Sequence, residues 1–368
     1  MDLTPYLKFM VEKEASDLFF SVGAPVTIKI QGHSMPVGKT VLQPGEVKRL
    51  AYSIADDAQQ KIFEKELELN LAITLPDTGR FRVNVYRQRG EVSMVIRYIK
   101  TRIPSIEELQ LPLVLKNLVL EPRGLILVVG ATGSGKSTTL AAMVDYRNTN
   151  KDGHILTIEE PIEFIYSHKK SVVDQREVGL DTHSYANALK NAMREAPDVI
   201  LIGEIRDRET MQHAIAYAET GHLCLSTLHA NNANQAIDRI INFFPDTAHH
   251  QLLIDLSLNL RAVISQRLIP AVGGKRVPAV EVMLKSPYIS DLIEKREIDL
   301  IKETIEKSRE SGMQTFDQSL YDLFMQGRIT EEDALNNADS RNNLALKIRL
   351  GRGSRPEGDG HGLSVDRE

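Results

Sequence analysis

Two hydrophobic rhythms divide the chain. Up to about residue 100, helical spacing of apolar residues in Asp2 to Lys13 gives way to period-two alternation in Val26 to Gln31 and Phe81 to Tyr86, the pattern of half-buried strands. This predicts a small mixed α/β domain over residues 1–100. Thr101 to Pro112 places two prolines around a short acidic stretch, and because proline biases its predecessor toward extended backbone, 101–112 is expected to be a linker.

From residue 113 to 287 the rhythm changes. Short β-rich apolar runs, Leu125 to Val129, His154 to Glu159, Val199 to Ile202 and Leu223 to Thr227, alternate with helical segments such as Tyr185 to Arg194 and Glu209 to Glu219, the latter closing at Gly221. Strands alternating with helices predict a parallel, doubly wound α/β sheet. Asp246, after Pro245, is expected to cap a long amphipathic helix running to Leu268. Beyond Pro287, the residues Leu292, Ile293, Ile298, Ile301 and Ile305 recur as one face among charged neighbours, which predicts a helical subdomain over 288–350. Residues 351–368 carry Gly and charge without apolar periodicity, and a disordered tail is expected there.

Composition narrows the setting. With 42% apolar residues the 368-residue chain can build ordinary cores, and its single cysteine, Cys224, excludes an internal disulfide framework or a multi-cysteine zinc site. A reducing, cytoplasmic location is expected. The start, Met1-Asp2-Leu3-Thr4-Pro5-Tyr6, has neither the basic opening nor the apolar run of a signal peptide. The most apolar stretch, Leu125 to Val129, is far shorter than the about 20 residues that cross a bilayer, so only peripheral membrane association is expected. A net charge of −5 offers no general attraction to phosphate backbones, and no nucleic acid partner is expected.

The chemistry is carried first by Gly130-Ala131-Thr132-Gly133-Ser134-Gly135-Lys136-Ser137, which fits G-x-x-x-x-G-K-[ST] between a predicted strand and a helix beginning at Thr138. Glycines let backbone N–H groups turn inward around phosphate oxygens, and the helix N-terminus adds partial positive charge. Lys136 is expected to reach the β- and γ-phosphates of ATP, and the Ser137 hydroxyl to hold Mg²⁺. Asp198 to Glu204 is a buried strand ending on a carboxylate, the pattern of a Walker B element, with Glu204 as the second metal-side residue. Another strand ends in Glu159, Glu160 and Glu163, three carboxylates within five residues, from which a water-activating base is expected. A fourth strand ends on His229, a candidate γ-phosphate sensor. All four elements stand at the carboxyl ends of predicted parallel strands, the edge where open α/β sheets bind ligands. His249-His250, in a polar stretch, is expected at the surface.

These residues resemble the secretion ATPase family of pilus and type II secretion motors over roughly residues 1–350. Arg194-Glu195-Ala196-Pro197-Asp198 through Gly203-Glu204-Ile205-Arg206-Asp207-Arg208-Glu209-Thr210 looks like the family's Walker B signature, and Thr227-Leu228-His229-Ala230-Asn231 like its His box. Thr157 to Glu163 matches its Asp box, except that Glu160 stands where Asp is usual, so Glu160 is given no metal contact. With one cysteine the sequence carries no four-cysteine zinc element, and the longer N-terminal region of the extension and secretion members is not expected either. Ala15-Ser16-Asp17-Leu18 and Gly312-Met313-Gln314-Thr315-Phe316-Asp317 resemble the retraction branch instead. One motif departs: Tyr288-Ile289-Ser290-Asp291-Leu292 stands where the branch's retraction motor carries A-I-R-N-L.

The resemblance implies a PAS-like N-terminal domain, a RecA-like ATPase domain, assembly as a homo-hexamer, and work at an inner-membrane pilus platform protein on the cytoplasmic side. The departure at Ile289-Ser290-Asp291, beside an intact phosphate chemistry, adds the expectation of a PilT-like retraction ATPase as partner ring. Of the Asp-box carboxylates Glu163 is the catalytic candidate, the choice of base among Glu159, Glu160 and Glu163 staying open, and within the family N-terminal-domain arginines reach the nucleotide; Arg82 and Arg97 are the candidates here. Strand alternation puts Arg80 and Arg82 on one face, so pattern alone does not choose between them. Two other classes share the phosphate loop. A RecA-like nucleic-acid translocase would show a basic groove and salt-sensitive binding, and a non-hydrolysing nucleotide-binding regulator would release no phosphate.

Overall fold

The computed structural model describes residues 2–30, 32–76, 78–99 and 101–353. The chain divides into two compact units, Met1–Pro104 with Arg147–Gly203, and Ser105–Tyr146 with the chain from Glu204 on.

In the first unit, α1 (Thr4–Glu12) leads into β1 (Asp17–Phe20), β2 (Pro25–Ile30) and β3 (His33–Val41), then α2 (Glu46–Ile54), α3 (Asp57–Glu66), β4 (Glu68–Leu75), β5 (Gly79–Gln88) and β6 (Glu91–Ile99). The six strands form one antiparallel sheet in the order β3-β2-β1-β6-β5-β4. Alternation on β5 buries Phe81, Val83 and Val85, which join Leu7 and Met10 of α1, Leu50 of α2 and Phe63 of α3 in one core. The predicted strands at Val26 and Phe81 are thus present. Their partners β1, β3, β4 and β6 were not foreseen, and β3, exposed along nearly its whole length, could not announce itself by an apolar face.

The polypeptide continues through α4 (Val114–Val119), β7 (Gly124–Val129) and α5 (Lys136–Asn150) to β8 (Gly153–Glu159), β9 (Ser171–Glu177), α6 (Tyr185–Ala192) and β10 (Val199–Ile202). Within the first unit, β8 pairs in parallel with both β10 and β9. Ser184 caps α6, its hydroxyl accepting from the Asn187 amide.

The second unit adds α7 (Arg208–Glu219), β11 (Leu223–Leu228), α8 (Ala233–Asn242), α9 (His249–Asn259), β12 (Leu260–Pro270), β13 (Arg276–Leu284) and the helices α10 (Pro287–Glu294), α11 (Ile301–Lys307), α12 (Phe316–Met325), α13 (Glu331–Asn337) and α14 (Arg341–Gly353). Here β7 is flanked in parallel by β11 and β12, and β13 closes antiparallel on β12. Every residue of β7 and β11 is buried, as expected of strands covered on both faces.

Three expectations are corrected. The helix expected from Asp246 to Leu268 is a 3-10 turn at Asp246–Ala248, the short helix α9, and then strand β12. Burial on both faces of β12 erases the period-two signal, and its apolar run then scans equally well as helix. His249 is not a surface residue: its ring is 13% exposed, lies 3.6 Å from Asp246, and bonds the Phe244 carbonyl, whereas His250 is exposed. Finally, α14 carries helix to Gly353, into the expected tail; residues 354–368 lie outside the described residues. The predicted C-terminal helices are present, with Leu292, Ile293, Ile298, Ile301 and Ile305 all buried.

Candidate active site

In the second unit, β7 ends at Val129 and the chain turns through Gly130 (φ 155°), Gly133 (φ 76°) and Gly135 (φ 91°) before α5 begins at Lys136. At Gly133 and Gly135 a side chain would be strained whatever the space, and at Gly130 a Cβ would stand 2.5 Å from both the Gln266 carbonyl and Ser134 Oγ. Lys136 Nζ donates to the carbonyls of Gly130 (2.9 Å) and Ala131 (3.0 Å), so the ammonium lies across the mouth of the loop. Ser134 Oγ is the one buried side-chain oxygen among the described residues without a hydrogen-bond partner. A cation and inward-turned amides at a helix N-terminus form an anion site.

Strand β11 delivers His229 to the same edge. A cavity of about 570 Å³ opens there, lined by Gly130, Thr132, His229, Asn231, Asp238 and Arg239 among others. His229 Nε2 lies 2.8 Å from Glu204 Oε1, and Arg206 Nε lies 2.7 Å from Glu204 Oε2. The segment carrying Glu204 is itself fixed by Ile205 N donating to Thr227 O at 2.9 Å on β11. Of the predicted residues, the structure therefore brings Gly130–Thr132 together with His229 at one cavity, and His229 together with Glu204. Arg206 was not foreseen as a site residue; its signal lay inside the Walker B signature, two residues from Glu204.

The acidic loop belongs to the first unit. Thr157 Oγ1 donates to Glu159 Oε1 at 2.7 Å and Gln175 Nε2 donates to the same oxygen at 3.3 Å. Burial pushes the Glu159 carboxyl up to about 7, and the charge of Glu163 adds to the rise against these two donors. Glu160 precedes a cis peptide bond to Pro161, and both Glu160 and Glu163 are exposed. Glu177 is 2% exposed, and burial raises its pKa against the Ile162 amide and the charge of Arg82, whose Nε stands 3.9 Å away.

Arg82 and Arg97 are cross-strand partners on β5 and β6, so two like charges face each other. Each has its own carboxylate: Glu177 for Arg82, and Asp17 for Arg97 at 2.9 Å. Arg97 remains 64% exposed. No group of three or more His, Cys, Asp or Glu side chains that could hold a metal occurs among the described residues. A hydroxyl at Ser137 and a carboxylate at Glu204 are the hard-oxygen types that suit a nucleotide-bound Mg²⁺, which needs only one or two protein oxygens besides phosphate.

The family described as Type II/IV secretion system protein matches residues 2–334, and the chain belongs to it. It is an ATP-hydrolysing member, with an N-terminal α+β domain and a RecA-like ATPase domain. Its relatives include the Type IV pilus ATPase PilU of Pseudomonas aeruginosa, 54% identical over 95% of this chain and 92% of that one. The Type IV pilus retractation ATPase PilT of the same organism is 44% identical over 92% of this chain and 98% of its own. Among solved structures, the pilus retraction motor PilT with bound ADP superposes with a TM-score of 0.88 at 41% identity, over 94% of this chain and 99% of that chain.

Proposed function

We propose that this protein is a hexameric motor of type IV pilus retraction, converting ATP hydrolysis into mechanical work as an accessory to a PilT-like partner ring. The carrying observation is the phosphate loop with Lys136 across its mouth and the paired Glu204 and His229 on the same unit, in a chain 54% identical to a pilus ATPase. On this reading the loop amides and Lys136 bind the triphosphate, and Glu204 and His229 report its terminal phosphate. Glu163 takes the proton of the attacking water, and Arg82 or Arg97 is supplied to a neighbouring subunit. Ser137 and Glu204 would hold Mg²⁺, which supplies Lewis acidity at the phosphate oxygens.

The accessory role is supported by α10. In place of A-I-R-N-L, Ser290 Oγ donates to the Ser257 carbonyl at 2.9 Å, and Asp291 pairs with Lys295 at 2.8 Å. Short polar groups engaged within the fold replace the long arginine of the motor's motif. A cytoplasmic site at the inner face of the inner membrane, against the pilus platform protein, follows from that function. The domain roles are read as 1–100 PAS-like, 101–112 linker, 113–287 ATPase and 288–350 helical.

The experiment is retraction in cells that carry this protein with and without a PilT-like ATPase. Retraction only in the presence of the partner is expected, and normal retraction by this protein alone would overturn the accessory reading. A nucleic-acid translocase would instead show ATPase stimulation by single-stranded DNA.

A further inference from the structure

Strand β12 runs beside β7 with Ser265 level with Val129, so the next residue, Gln266, is level with the first glycine of the phosphate loop. Its backbone carbonyl is one of two groups, with Ser134 Oγ, that leave no room for a Cβ at Gly130, which would stand 2.5 Å from each. Its side chain crosses to the other limb. Gln266 Oε1 accepts from the Thr139 hydroxyl at 2.6 Å, in the first turn of α5, and a Cβ on Gly135 would stand 2.8 Å from Gln266 Nε2. Gln266 is 4% exposed and Thr139 1%. One residue thus braces both limbs of the loop, the Gly130 side by its backbone and the Gly135–Thr139 side by its amide.

A loop of glycines is intrinsically mobile, and its amides bind phosphate well only if they are held in the curved arrangement beforehand. We propose that Gln266 is a positioning residue for the bound nucleotide, setting affinity by holding the phosphate loop and the start of α5 in register. This rests on the reading of Gly130–Ser137 as the nucleotide site. An uncharged amide suits the place, since a carboxylate there would set a like charge beside the phosphates.

The test uses the full-length protein and three readouts: affinity for fluorescently tagged ADP, KM and kcat for phosphate release, and melting temperature without nucleotide. Gln266→Met keeps the volume and removes the acceptor, whereas Thr139→Val keeps the shape and removes the donor. Each should weaken ADP binding about tenfold, the scale of a lost buried hydrogen bond, and raise KM for ATP more than it lowers kcat. Thr139→Ser, which keeps the hydroxyl, should bind as the wild type does. The Gln266→Met/Thr139→Val double variant should bind no more weakly than either single variant, because the two remove one interaction.

ADP affinity within about twofold of wild type in both single variants, whatever their melting temperatures, would overturn the proposal, as would additive losses in the double variant. If Gln266→Met does not fold, Thr139→Val against Thr139→Ser decides it. A wild-type protein that binds no ADP would refute the nucleotide site itself, a separate result.

Discussion

His229 Nε2 stands 2.8 Å from Glu204 Oε1, while Arg206 Nε occupies Glu204 Oε2 at 2.7 Å. Each oxygen of Glu204 thus faces one nitrogen, and the carboxylate is gripped at both ends. Because the grip fixes the carboxylate's angle, His229→Ala should retain nucleotide binding while turnover falls by about a hundredfold. ADP affinity and phosphate release measured on one preparation check this, and a loss of affinity with turnover intact would contradict it.

Glu204→Gln keeps the shape and one acceptor but gives up the charge. It should bind ATP and lose turnover, again by about a hundredfold or more. Single-turnover measurements distinguish the lost chemical step from slow product release.

Glu159 carries a pH signature. Its carboxyl is raised by burial from 4.5 to about 7, so between these values the unfolded chain binds fewer protons than the native one. Stability contributed by this group is therefore lost as pH rises from 4.5 to about 7 and is level above that. Glu159→Gln should remove this slope. Urea midpoints across the range, compared with wild type, should show the variant gaining relative stability as pH rises, and parallel curves would refute the assignment.

Much of this was legible in the sequence, and the rest was hidden for identifiable reasons. The phosphate loop announced itself because its glycines, lysine and flanking strand are local features, and Gly133 and Gly135 do adopt positive φ. Glu204 and His229 were legible as strand ends, but the contact between them is tertiary and has no local trace. Gln266 was invisible for a different reason: β12 is buried on both faces, so its period was lost and the segment scanned as helix. Arg82 and Arg97 were named from family resemblance, whereas their carboxylate partners Glu177 and Asp17 lie 95 and 80 residues away in sequence.

Arg267, beside Gln266, ties the C-terminal helices to β12. Its guanidinium lies 3.8 Å from the Phe316 ring centroid, pairs with Asp339 at 2.8 Å and donates to the Asn337 carbonyl at 2.8 Å. Arg267→Ala removes all three contacts and should cost about 2 kcal/mol of stability. A urea midpoint unchanged from wild type would show the tie to be dispensable.

The two arginines of the first unit test the ring. A Lys136→Ala subunit has a disabled phosphate loop and intact arginines, whereas an Arg97→Ala or Arg82→Ala subunit has the reverse. An arginine given in trans is worth about 10³-fold or more in other NTPases, so co-assembled rings of two inactive variants should regain measurable turnover. Verified mixed rings as inactive as either parent would place the arginine's action within its own subunit or nowhere.

The central claim is that Gly130–Ser137 binds ATP for hydrolysis, and phosphate release by the purified full-length protein with Mg²⁺ and ATP tests it most directly. Steady release by the wild type, abolished in Lys136→Ala together with weakened nucleotide binding, is the predicted result, because on the proposed reading the substitution deletes the cation that would face the β- and γ-phosphates. Near-normal release from Lys136→Ala, or none from the wild type in its assembled ring, would contradict the account.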